Sequence, residues 1–98
     1  MVDYTGKVVI VRGIQSGVYY GTLVSREGQE VELSDCRNIW SWSGANNLLQ
    51  LANEGVKRPE NSKISVAVNS IVLTDIVEIL PCTQAAIDNL GGVEPWRY

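Results

Sequence analysis

The 98-residue sequence contains no histidine and no phenylalanine, only two cysteines and one methionine. The missing histidine removes the commonest general base, the Ser-His and Cys-His dyads and the most frequent transition-metal ligand. Two cysteines cannot complete a four-cysteine metal site. Cys36 and Cys82 lie far apart in sequence and are expected to be reduced thiols. A surplus of basic charge is also missing: 8 Lys and Arg stand against 11 Asp and Glu, a net charge of −3. Such a chain cannot gain much from releasing phosphate counterions, so DNA and RNA are not expected partners. Nor is −3 strong enough for a mimic of nucleic acid. Apolar runs stay well short of the roughly 18 residues that mark a membrane span. The opening Met1-Val2-Asp3-Tyr4-Thr5-Gly6-Lys7 carries no apolar signal core, and the expected location is the cytoplasm.

Apolar residues make up 45% and charged residues 19%, the balance of one folded domain over residues 1–98. With no Phe, the aromatic content is three Trp and four Tyr, which favour rims and interfaces. Lys7 to Arg12 is β-branched and reads as a strand buried on both faces near its centre. Gly13 to Gly17 has hairpin length. Val18 to Ser25 is a second strand, with Gly21 marking a bulge or a close backbone approach. Glu30 to Leu33 alternates and is a third. Ser34-Asp35 is read as a break before a fourth strand, Cys36 to Trp42.

Ser43 is placed as a helix N-cap, with Gly44-Ala45-Asn46 as first turn, Ala45, Leu48, Leu49, Leu51 and Ala52 on one face, and Gly55 as the terminal glycine. The main helix is thus expected over about 44–54. After a polar loop at 56–63, strands are predicted around Ile64 to Val68 and within Ile71 to Leu80, the latter broken near Thr74-Asp75. Thr83 caps a short helix at about 84–90, stopped by Gly91-Gly92. The predicted class is α+β: a small twisted or partly closed antiparallel sheet of five to six strands with a helix against it.

The densest chemistry lies in Arg37-Asn38-Ile39-Trp40-Ser41-Trp42-Ser43-Gly44-Ala45. Strand period two puts Trp40 and Trp42 on one face, a platform on which a base could stack. The N–H groups of Ser43, Gly44 and Ala45 at a helix start could hold a phosphate, and Arg37 could supply a counter-charge. The competing reading packs both indoles on the helix and leaves Ser43 as a cap. Arg12 and Tyr19 would be hairpin neighbours beside a pocket. Lys57 and Arg58, with Lys63, form a basic loop cluster that could reach a neighbouring subunit's ligand. Glu27, Glu30 and Glu32 match no calcium loop. Trp96 and Tyr98 are expected to dock on their own sheet or on a second chain, which favours a dimer or higher homo-oligomer.

Over nearly the whole chain, these motifs resemble a small phage and prophage protein family of unknown function. The matches are Val-x-x-Gly-x-Leu at Val18 to Leu23, Ile-Trp-x-Trp-Ser-Gly-Ala at Ile39 to Ala45, Leu-Thr-Asp at Leu73 to Asp75, Glu-Ile-x-Pro-Cys-Thr at Glu78 to Thr83, and Trp96. Asn38 departs from the pattern, which has a basic residue there, and this weakens a phosphate role at that position. The resemblance implies a binding protein rather than an enzyme, with no cofactor. Its role would be that of an anti-defence sponge: an oligomer that sequesters a cyclic oligonucleotide or cyclic ADP-ribose signal in the infected bacterial cytoplasm. The alternatives are an inhibitor that binds a host protein through its aromatic surface and an accessory structural phage protein. A carboxylate-dependent enzyme is the last choice.

Overall fold

The computed structural model describes residues 2–97, and Met1 and Tyr98, including the docking expected of Tyr98, lie outside the described residues. The fold is α+β, as its residue pattern predicts. Strands β1 (Val8–Gly13), β2 (Val18–Glu27) and β3 (Glu30–Ser41) form an antiparallel meander. Helix α1 (Leu48–Glu54) and a 3-10 turn (Pro59–Asn61) follow, then β4 (Lys63–Ile64), β5 (Val68–Leu73), β6 (Ile76–Pro81) and helix α2 (Gln84–Gly91). The sheet runs β4-β3-β2-β1-β6, and β5 also pairs with β3.

Thr74-Asp75 joins β5, on the outer side of β3, directly to β6 at the other end of the sheet, so the sheet must curl. The curl accounts for two separate cores. One, inside it, gathers Val9, Val11, Leu23, Val31, Leu33, Cys36, Leu73 and Ile76. The other lies where the helices cover the opposite face: Ile10, Tyr20, Ile39, Leu51, Ala52, Val56, Ile64, Leu90 and Val93. Successive β1 residues feed alternate cores, and Val9, Ile10 and Val11 are all buried. That is why an uninterrupted apolar run forms this strand.

Three local expectations need correction. First, Ser34-Asp35 does not separate two strands. β3 runs through it, with Asp35 in the left-handed region (φ 48°) and the β2–β3 register shifting between Tyr20 and Thr22. Gly21 lies opposite. A Cβ there would stand 2.9 Å from the Ser34 carbonyl oxygen, so the predicted close approach is real. Second, the main helix starts at Leu48, not Gly44. Asn47 caps it, its side chain accepting from Gln50 N at 3.0 Å. Third, the predicted 64–68 strand shrinks to β4. The Ile71 to Leu80 run resolves into β5 and β6, with the break at Thr74-Asp75. Thr83 caps α2 as expected.

That turn anchors the β1–β2 hairpin loop. The Asp75 carboxylate accepts from Ser16 Oγ (2.6 Å), Gln15 N (2.7 Å) and Ser16 N (2.9 Å). The Ser16 hydroxyl, then the two amides, hold this carboxyl below its ordinary value. A carboxyl depressed by folding contributes stability above its unfolded value and loses it as pH falls through the folded one. The expected outcome is that the Asp75→Asn chain loses less stability than the parent on acidification below the ordinary carboxylate range. Urea titrations at neutral and acidic pH read it; parallel pH profiles would remove Asp75 as the acid-sensitive clamp. Among the described residues, no helix is long and apolar enough to cross a membrane.

Candidate functional site

Arg37 stands on β3 opposite Tyr20 of β2, facing the helices. It is 6% exposed. Its Nε donates to the Ser65 carbonyl (2.8 Å), Nη1 to that of Leu90 (2.7 Å) and Nη2 to that of Val93 (2.7 Å). Leu90 lies in the last turn of α2, where carbonyls lack intrahelical partners and the helix dipole is negative. Arg37 therefore caps α2 and ties down the segment behind it. Burial pulls its pKa down, while the neighbouring Tyr20 phenol works the other way. Burial likewise pushes the Tyr20 phenol up, and its hydroxyl donates to the Ile87 carbonyl at 3.3 Å. The counter-charge role expected of Arg37 is thus replaced by a structural one.

The Trp40–Trp42 platform is not formed. β3 ends at Ser41, and Trp42 turns with Ala45 and Leu48 onto the core beneath the helices. Trp40 stays outside, 66% exposed, and stacks on Trp96 with centroids 6.3 Å apart and planes 19° from parallel. Trp96 reaches it because its N–H donates to the Ile64 carbonyl at 2.7 Å, which lays the C-terminal segment along β4. The Lys63 ammonium lies over the Trp96 ring, 5.2 Å from its centroid.

The expected anion site is also replaced. Ser43 N donates to Ser62 Oγ at 3.0 Å and the Ser43 carbonyl accepts from Arg58 N at 3.2 Å. Gly44 (φ +92°) and Ala45 precede the helix instead of opening it. Folding does bring Ser43 and Gly44 against Lys57 and Arg58, but as a backbone junction. The Lys57 ammonium lies 3.4 Å from Glu54, and Arg58 is exposed in the same loop. Arg12 pairs with Glu78 across β1–β6. Tyr19 lies opposite Val11 and packs on the core inside the curl, so Arg12 and Tyr19 do not share a pocket.

None of the predicted residues lines a cavity of 550 Å³ between Tyr4, Leu23, Arg26, Ile76 and Ile79. A second, of 340 Å³, lies between Arg37, Ala67 and the 91–95 segment. Cys36 and Cys82 are free thiols, pushed by burial up to about 12 and about 11.

Of the predicted residues, the fold leaves Trp40 exposed and joins it to Trp96 and Lys63. Sequence reasoning placed Trp40 in a site, expected Trp96 to dock and counted Lys63 in a loop cluster, but did not join them. The sequence signal for Trp96 is a large aromatic expected to dock; docked on Trp40 it still remains 49% exposed. No curated protein and no solved structure matches the chain. The model of a family described as a domain of unknown function (DUF6948) matches residues 6–90, and the chain belongs to that family.

Proposed function

We propose that the protein is a non-enzymatic phage binding protein that sequesters a small nucleotide signal of the cyclic oligonucleotide or cyclic ADP-ribose type in the cytoplasm of the infected host. The observation that carries this reading is the water-exposed indole pair Trp40–Trp96 with the Lys63 ammonium beside it. A base stacked on an exposed indole gains about 1–3 kcal/mol. In this reading Lys63 would neutralise a phosphate on the sugar of the stacked nucleotide. The phage context rests on the motif resemblance. Neither Cys36 nor Cys82 serves as a nucleophile in this reading, since burial raises both thiols well above neutrality and the thiolate is the nucleophile.

The test is native mass spectrometry and calorimetry against a panel of cyclic oligonucleotides and ADP-ribose derivatives. Retention of one nucleotide mass per site is expected. Trp40→Ala should weaken binding about tenfold or more, the equivalent of the lost stacking energy, with the circular dichroism spectrum unchanged. Binding untouched by Trp40→Ala would take the indole pair out of the site.

A second reading, an inhibitor that binds a host protein through the same aromatics, is favoured by their position. Neither Trp40 nor Trp96 lines either cavity, and a flat indole patch with a flanking cation suits a protein surface. A chain that stays empty against the nucleotide panel and retains a host protein at fixed stoichiometry would favour it.

A further inference from the structure

The strand that runs along the outer side of β3 has two halves with different edges. At β4, Trp96 N donates to the Ile64 carbonyl and closes the edge. Beyond Val66, β5 pairs with β3 on one side only. Among the described residues, no backbone hydrogen bond reaches its other side. From Ile64 through Thr74 the chain carries no charged residue and no proline. Natural sheets guard free edges with lysine, proline, bulges or very short strands. The opposite end of this sheet follows that rule, since β6 carries Glu78, paired with Arg12, and ends at Pro81. β5 has a regular register, six residues and no such guard.

One face of β5 is also symmetric about Ser70, with a valine two residues to either side, whereas Asn69 and Ile71 on the other face differ. The sequence Val68-Asn69-Ser70-Ile71-Val72 reads valine to valine around Ser70. Val68 and Val72, two residues either side, are 45% and 55% exposed. Pairing an antiparallel copy about a twofold axis at Ser70 would set Val68 against the copy's Val72, Val72 against its Val68, and Ser70 against Ser70. Each exposed valine would then be covered by the copy's other valine; the Glu32 carboxylate, which accepts from Ser70 Oγ at 3.2 Å, lies one strand in on the same face. A C2 interface requires self-complementarity, which the Val68-Ser70-Val72 face supplies.

We infer that the free edge of β5 is a homodimer interface in which two copies join their sheets antiparallel about Ser70. The inference is independent of the nucleotide reading, since it uses neither tryptophan nor Lys63.

Sedimentation equilibrium of the full chain should give twice the chain mass. Val72→Lys should shift it to the single-chain mass, because the ammonium would face Val68 of the copy. Val68→Glu combined with Val72→Lys should restore the dimer, each introduced carboxylate meeting an introduced ammonium across the axis. Opposed Cα atoms in an antiparallel pair lie about 4.5–5.5 Å apart, within the roughly 4.4–6.8 Å that a disulfide spans. Mild oxidation of the Ser70→Cys chain should therefore give a covalent dimer, and this second variant decides the matter if Val72→Lys fails to fold. A parent chain that sediments as a monomer, a Val72→Lys chain that is folded and still dimeric, or a Ser70→Cys chain that does not cross-link would each overturn the inference. Restoration by the charge pair supports this register in particular, because a different alignment would not bring positions 68 and 72 together.

Discussion

Replacing Arg37 with methionine is expected to lower the free energy of unfolding by about 3 kcal/mol or more, because several buried acceptors lose their donors together. The guanidinium joins three carbonyls contributed by Ser65 after β4, Leu90 in the last turn of α2 and Val93 in the segment behind that helix. Each carbonyl left unpaired in a buried site costs about 1–3 kcal/mol. The neighbouring 340 Å³ cavity gives water some access, which keeps the total below the simple sum. Methionine fills much of the side-chain volume, so the loss reports hydrogen bonding more than packing. Arg37→Lys should recover little of it, since a single ammonium cannot present the planar fork that spans three acceptors. Urea unfolding monitored by tryptophan fluorescence measures the difference. A midpoint unchanged in Arg37→Met would show that the clamp is dispensable. If Arg37 instead served a ligand, substitution would weaken binding and leave the unfolding midpoint in place.

Gly44→Ala is expected to cost about 2–3 kcal/mol, again in stability. At φ +92° an L side chain is strained. A Cβ would also stand 2.7 Å from both the backbone nitrogen and the Cβ of Lys57, and 2.9 Å from the backbone nitrogen of Arg58. Two of these three neighbours are backbone, in a junction that the Ser43–Arg58 and Ser43–Ser62 hydrogen bonds hold together, so they cannot swing aside as a flexible side chain would. Gly28→Ala is the control. Gly28 also has a positive φ, +60°, but open space where its Cβ would go, so it carries the backbone strain without the clash. Gly44→Ala should unfold at lower urea than Gly28→Ala. Equal midpoints would mean that the junction yields and that Gly44 is not needed for the close approach.

Both substitutions fall in the stretch that reads, in sequence, as a ligand site. Glycine after a serine at an apparent helix start is what a phosphate cradle needs, and it is also what a chain needs to let a distant loop come within van der Waals distance. The two demands leave the same residues behind. Tryptophans two apart on a strand share a face only while the strand continues. β3 ends between Trp40 and Trp42, and nothing within nine residues reveals that.

Local physics was enough for much of the rest. β-branched runs bounded by glycine and turn residues place β1, β2 and most of β3, β5 and β6, because backbone preference and period-two burial act between near neighbours. The Thr83 cap and Gly91-Gly92 delimit α2, and Gly21 announces the tight crossing on Ser34, for the same reason. What only the tertiary structure decided is which polar and aromatic groups are already occupied. The three acceptors of Arg37 lie 28 to 56 residues away in sequence, Ser62 takes the amide of Ser43 from 19 residues away, and Trp96 arrives at Trp40 only by adding to the edge of β4. A buried charge is stabilised by whichever dipoles the folded chain brings to it, and an indole by whichever surface reaches it first. Both depend on long-range closure, so residue type could nominate these side chains while the fold alone assigned Arg37 to structure and left Trp40, Trp96 and Lys63 on the surface.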